Sequence, residues 1–228
     1  MSFIPAVSVW NRQSYFKEKM SQRAFVAVFS LWIAVGIALS AFGAVVSYAW
    51  QPSWPMLLGL FAVTIAGIFI GLKGEHIAWS VIGYLMIVIP FGLMTGPIVA
   101  MYTPASVFKV LTVTAGMVVG LGIVGTSYPR SLEHWGIWLL GALLVLILGS
   151  VVTIFAGAVG VQVQGAMRLW DWVAVALFSG FVVYDMNRAV RIERNHKNAI
   201  DIALAVYLDF AILFVHLLSI MGTPVKRD

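Results

Sequence analysis

Two carboxylic acids stand in stretches that are otherwise almost wholly apolar. One is Asp185, in Val183-Tyr184-Asp185-Met186-Asn187, and the other is Asp209, in Tyr207-Leu208-Asp209-Phe210. A lone carboxylate at the centre of a membrane helix costs about 3 kcal/mol on insertion scales and more in simulations, so each acid needs a partner, a proton or a cation. Two carboxyls sharing a low-dielectric site do not ionise together readily, and a proton held between them responds to pH. The same pair, once ionised, is a hard oxygen site for a passing divalent cation, although two carboxylates fall short of the six to eight oxygens that calcium prefers. Such binding is weak and partly hydrated, which suits conduction better than storage.

Plainer roles exist for both residues. Asp185 and Arg188 are spaced i, i+3 and can form an intrahelical ion pair at the membrane surface, and Asp209 can serve as a protonated or hydrogen-bonded residue that joins helices. Asp209 lies eight positions after Asp201, roughly 12 Å along a helix and so well into the membrane. Asp185 is shallower, because Arg188, Arg191, Glu193 and Arg194 soon follow it. The two acids sit on successive antiparallel helices joined by a short charged loop, which sets their inward faces against each other. Tyr184 and Tyr207 flank the pair as supporting groups. His216 follows Asp209 by seven residues, on the same helical face, where it would relay protons or, as the favoured alternative, bond a backbone carbonyl. The other acids, Glu18, Glu75, Glu133, Glu193, Asp201 and Asp228, fall in loops, tails or helix ends, with Asp171 at the start of the sixth helix.

The elements that must carry these acids follow from composition. Of 228 residues, 61% are hydrophobic and 10% charged, whereas a soluble domain would be about 45–50% apolar and about 25% charged. Seven apolar runs can be marked, at about residues 24–50, 55–72, 77–101, 107–124, 135–159, 170–186 and 200–221. Each is long enough for a spanning helix of about 20 residues, and none shows the short alternating pattern of a barrel strand. The expectation is an all-α integral membrane protein of seven transmembrane helices. It divides into an N-terminal segment (1–23), a membrane domain (24–222) and a short tail (223–228), with no removed signal peptide. The chain has no cysteine, which removes disulfides, thiolate metal sites and cysteine nucleophiles.

Orientation follows from the basic residues. With the N-terminus cytoplasmic, ten of the 14 lysines and arginines (Arg12, Lys17, Lys19, Arg23, Lys73, Arg130, Arg188, Arg191, Arg194 and Lys197) face the cytoplasm. Only Lys109, Arg168, Lys226 and Arg227 lie outside, which favours N-terminus in and C-terminus out. The net charge of +5 is concentrated beside apolar runs and suits orientation and anionic lipid, not nucleic acid. Short loops suit a bacterial inner membrane.

From Phe181-Val182-Val183-Tyr184-Asp185-Met186-Asn187 through Ala203-Leu204-Ala205-Val206-Tyr207-Leu208-Asp209-Phe210-Ala211-Ile212-Leu213-Phe214 to Leu217-Leu218-Ser219-Ile220-Met221-Gly222, the chain resembles the last two helices of the Bax-inhibitor family of transmembrane proteins. The 24-residue interval between the aspartates resembles that of bacterial members. Phe91-Gly92-Leu93-Met94-Thr95-Gly96-Pro97-Ile98 and the glycine-rich fourth run, ending at Tyr128-Pro129-Arg130, add to the likeness. The resemblance implies a seven-helix fold with a central seventh helix and a pH-dependent calcium leak, in which Asp185 and Asp209 form the proton-sensing, transiently calcium-binding pair. Three features depart from that pattern. The arginine that latches bacterial members falls at about Gly74, making Lys73 the candidate latch, and an arginine's bidentate fork is lost with it. An acid in the second helix is replaced by Val63, and seventh-helix asparagines by Ile212 and His216.

Other classes fit less well. A retinal protein needs a lysine in the last helix, and residues 200–221 contain none. An intramembrane aspartyl protease needs glycines before its second aspartate, where Val206, Tyr207 and Leu208 stand. A serine protease lacks its glycine-flanked loop, and His76, His134, His196 and His216 are scattered singly, against zinc chemistry. A proton-coupled transporter is the strongest competitor, since Pro90, Gly92, Gly96 and Pro97 are expected to interrupt the third helix, and glycine-lined helices also suit a regulator acting by contact. The expectation is therefore a non-enzyme without cofactor, with calcium and protons as its ions, lipid as its surround and no nucleic-acid partner. The sequence specifies no protein partner.

Overall fold

In hydrocarbon every backbone N–H and C=O must be satisfied within its own segment, and the described residues meet that demand with seven helices. The computed structural model describes residues 19–73 and 76–225. Its helices are α1 (Gln22–Ser47), α2 (Trp54–Lys73), α3 (Ile77–Val99), α4 (Pro104–Ser127), α5 (Trp135–Ala158), α6 (Gln164–Ala189) and α7 (His196–Met221). The shortest has 20 residues, about 30 Å, and all seven are long and apolar enough to cross a membrane. No strand occurs among the described residues, only an isolated bridge between Tyr102 and Pro224. Ser21 caps α1, its Oγ accepting from the Ala24 N–H at 3.2 Å.

Two expectations about element ends are corrected. The apolar run that marks α6 starts near Trp170, but the helix starts at Gln164 and carries exposed Arg168 in its second turn. Asp171 is consequently two turns inside α6, not at its start. Polar residues extend a membrane helix where its end reaches the interface, and hydropathy alone does not register them. The second correction concerns α3, which runs unbroken through Pro90 and Pro97. A proline removes one donor and crowds the carbonyl four residues back, and hydroxyls supply extra donors nearby. Thr95 Oγ1 donates to Phe91 O at 2.7 Å and Ser40 Oγ to Val88 O at 3.0 Å.

The chain forms two compact units, both drawing on α7. In the first, α3 is the middle element, packed against α1 and α2. Close approach is achieved at glycine: a Cβ on Gly92 would meet Ser40 Cα of α1 at 2.6 Å, and one on Gly83 would meet Gly67 O of α2 at 2.7 Å. Both are the small-residue contacts that replace hydrophobic driving force between membrane helices. Residues 192–207 join this unit. Here Tyr84 and Tyr207 are fully buried, the Tyr84 hydroxyl donating to Trp32 O and the Tyr207 hydroxyl bonding Ser40 Oγ.

In the second unit α6 is the middle element, packed against α4 and α5. Gly125 of α4 lies directly against Val183 O, and the Trp170 ring covers Gly149 of α5 while its Nε1 donates to Thr153 Oγ1 at 2.9 Å. Residues 208–223 belong here. The last helix is the most enclosed of the seven. Half of its most apolar stretch is buried, against 39% or less in the others.

Candidate functional site

The end of α6 that carries Asp185 is held by one amide. Asn187 is fully buried, and its Nδ2 donates to Gly125 O (3.1 Å), Arg130 O (3.2 Å) and Tyr128 O (3.3 Å). Its Oδ1 accepts from the Leu132 N–H at 3.0 Å and from Arg191 Nε at 3.1 Å. A buried side chain with both donors and acceptor engaged fixes the α4–α5 connection onto α6 and leaves little freedom to the turn that bears Asp185. Asn187 stood in the sequence only as a neighbour of the aspartate. A polar amide inside an apolar span was the signal that marked it.

Asp185 itself is 6% exposed. Arg188 Nη1 lies 4.0 Å from its Oδ1, the outer limit of an ion pair, so the intrahelical pairing that competes with a gating role is present in a loose form. Asp209 is 4% exposed, and its Oδ2 has no hydrogen-bond partner among the described residues. Asp185 is the charged neighbour whose field bears on it. The structure thus brings the two acids, 24 residues apart across a charged loop, within electrostatic reach inside one unit. A buried acceptor with no donor costs about 1–3 kcal/mol, and a proton or a cation removes that cost.

The supporting residues separate. The Tyr184 hydroxyl is turned onto Gly136 of α5, where an added Cβ would meet it at 2.7 Å. Tyr207 is bonded to Ser40 and so braces the first half of α7. His216 does not bond a backbone carbonyl. Its Nδ1 is 2.7 Å from Asp171 Oδ1, and Ser219 Oγ donates to Asp171 Oδ2 at 2.6 Å. His216 and Asp209 share a face of α7, as their spacing requires, and each meets a different acid of α6. Lys73 is the last residue of α2, but its side chain lies outside the described residues, as do Gly74 and Glu75. Among the described residues no three His, Cys, Asp or Glu side chains gather to hold a metal.

Comparison with known proteins bears on the whole bundle. A family model described as "Inhibitor of apoptosis-promoting Bax1" matches residues 22–225, which include all seven helices. An uncharacterized protein of Deinococcus radiodurans is 28% identical over 213 residues, covering 87% of this chain and 90% of the relative. Inner membrane protein YbhL of Escherichia coli K12 is 31% identical over 140 residues, 58% of each chain. An uncharacterized protein of Helicobacter pylori is 28% identical over 174 residues, 75% of this chain and 59% of the relative. The match spans nine-tenths of the first relative's length and under two-thirds of the other two.

Proposed function

The chain belongs to the Bax inhibitor family of integral membrane proteins, and from that premise we propose that it is a pH-sensitive cation leak, conducting calcium, gated by Asp185 and Asp209. The observation that carries the proposal is the buried acid pair on α6 and α7, one oxygen of which has no partner among the described residues. A proton shared by the two acids holds α6 and α7 together and keeps the leak closed when the cytoplasm is acid. Loss of that proton leaves two carboxylates, and like charges about 4 Å apart repel by about 4 kcal/mol at an effective dielectric of 20. That is large beside the roughly 1 kcal/mol of a typical interhelical polar contact in a membrane, so the helices separate. The exposed carboxylates then offer a transient oxygen site to calcium.

Arg188, at 4.0 Å from Asp185, competes with the shared proton and sets how readily the pair ionises. Lys73 is assigned as the cytoplasmic latch of the closed state. No covalent chemistry and no resident cofactor are assigned. The proposed location is a bacterial inner membrane with the N-terminus cytoplasmic and the C-terminus outside, supported by the distribution of basic residues and by the inner-membrane relative YbhL.

The test is calcium flux into liposomes containing the purified protein, measured across a range of pH beside Asp185→Asn and Asp209→Asn. The expected outcome is a flux that falls with acid on the Asp185 side in the wild type and loses that dependence in Asp209→Asn. A wild-type pH response in that variant would sink the proposal. Absence of flux at any pH from folded protein would move the assignment to a proton-coupled transporter or to a regulator acting by contact.

A further inference from the structure

Asp171 accepts at both oxygens, from His216 Nδ1 at 2.7 Å and Ser219 Oγ at 2.6 Å. With Nδ1 engaged as a donor, the neutral imidazole keeps its lone pair on Nε2, the atom to which a proton adds. The imidazole is 28% exposed and the carboxyl 18%, so this cluster is less enclosed than Asp185 or Asp209. Asp171 is fourteen residues from Asp185 on α6, about 21 Å in a hydrocarbon core of about 30 Å. His216 is five residues from the end of α7, and Asp185 is four from the end of α6. The two acid clusters therefore lie in opposite halves of the membrane. Few other charges surround the cluster: exposed Arg168 one turn before Asp171, exposed Lys109 as the only charged residue of α4, none on α5, and Asp209 two turns earlier on α7.

We propose that Asp171, His216 and Ser219 form a second proton-binding site that takes its proton from the compartment opposite the one that reaches Asp185, and that proton binding there tightens α6 against α7. In the neutral state the imidazole offers a neutral donor. In the protonated state the donor is charged as well as the acceptor, so coulombic attraction between imidazolium and carboxylate adds to a bond that the ionised Asp171 already strengthens. The consequence for conduction rests on the leak proposed above. If opening separates α6 from α7, acid on either side of the membrane holds them closed, and the protein reads both compartments.

The chain has no cysteine, so spin labels can be placed cleanly in the full protein in lipid nanodiscs, at Leu169→Cys and Met221→Cys. Both positions are exposed. Lowering the pH from about 8 to about 5 is expected to shift the label separation to shorter distances. His216→Asn keeps a donor where Nδ1 stands but cannot take up the proton, and it is expected to lose the shift. Asp171→Asn, which keeps an acceptor without the charge, is expected to lose it too. A shift that survives in either folded variant overturns the site. In liposomes with the pH set separately on each side, His216→Asn is expected to lose the flux response to acid on the Asp171 side and keep it on the Asp185 side. A distance shift abolished by His216→Asn in a protein with no flux at any pH would support the proton site and overturn the leak.

Discussion

Two aspartates of α6, fourteen residues apart, both meet α7, and they do so in opposite ways. Asp171 is saturated, with one oxygen on His216 and the other on Ser219. Asp185 meets a second acid, Asp209, whose Oδ2 has no donor among the described residues, and its own cation, Arg188, stands at 4.0 Å. The same residue type on the same helix is in one place an anchor and in the other a source of strain. A saturated carboxylate changes only the strength of bonds it already holds, whereas an unsatisfied buried group responds to whatever new partner can satisfy it.

That contrast predicts opposite signs for the same substitution. The largest effect is expected for Asp171→Leu, which strands a histidine and a serine together and should lower stability by about 3 kcal/mol, read as an earlier thermal transition in detergent. At a pH where the pair has lost its shared proton, Asp209→Leu should raise stability by about 2 kcal/mol, because it removes a buried acid that repels its neighbour. If both variants destabilise alike, the difference between the two sites is illusory. Ser219→Ala is the smallest change, about 1 kcal/mol, since it removes one bond and leaves Asp171 with His216. A loss as large as that of Asp171→Leu would mean that the serine, and not the histidine, carries the anchor.

The legible part of this molecule was the part written in hydropathy and in spacing. Seven runs of about the spanning length became seven helices, and the two acids on either side of the charged loop are both buried. Asp171 escaped because its helix begins six residues before the first tryptophan of the apolar run, among Gln164 and Arg168, so it read as a surface acid at a helix start. Its partner His216 was assigned to its own helical face correctly, but periodicity says which face and not which neighbour. The unbroken α3 escaped for a different reason. Proline rules are set by helices in water, and in this bundle α3 runs through both prolines, with the hydroxyls of Thr95 and Ser40 adding bonds to Phe91 O and Val88 O in the same stretch. Asn187 gathers five hydrogen bonds, four of them with residues more than fifty positions away, and the amide in the sequence marks the residue without announcing those partners.

The central claim is that Asp185 and Asp209 act as one titrating unit. The direct test is a double-mutant cycle on the pH response of calcium flux in liposomes, with Asp185→Asn, Asp209→Asn and the double variant beside the wild type. Residues that share one equilibrium are non-additive, so the double variant should lose no more of the pH response than either single one. Losses that simply add would show two independent acids and contradict the shared gate.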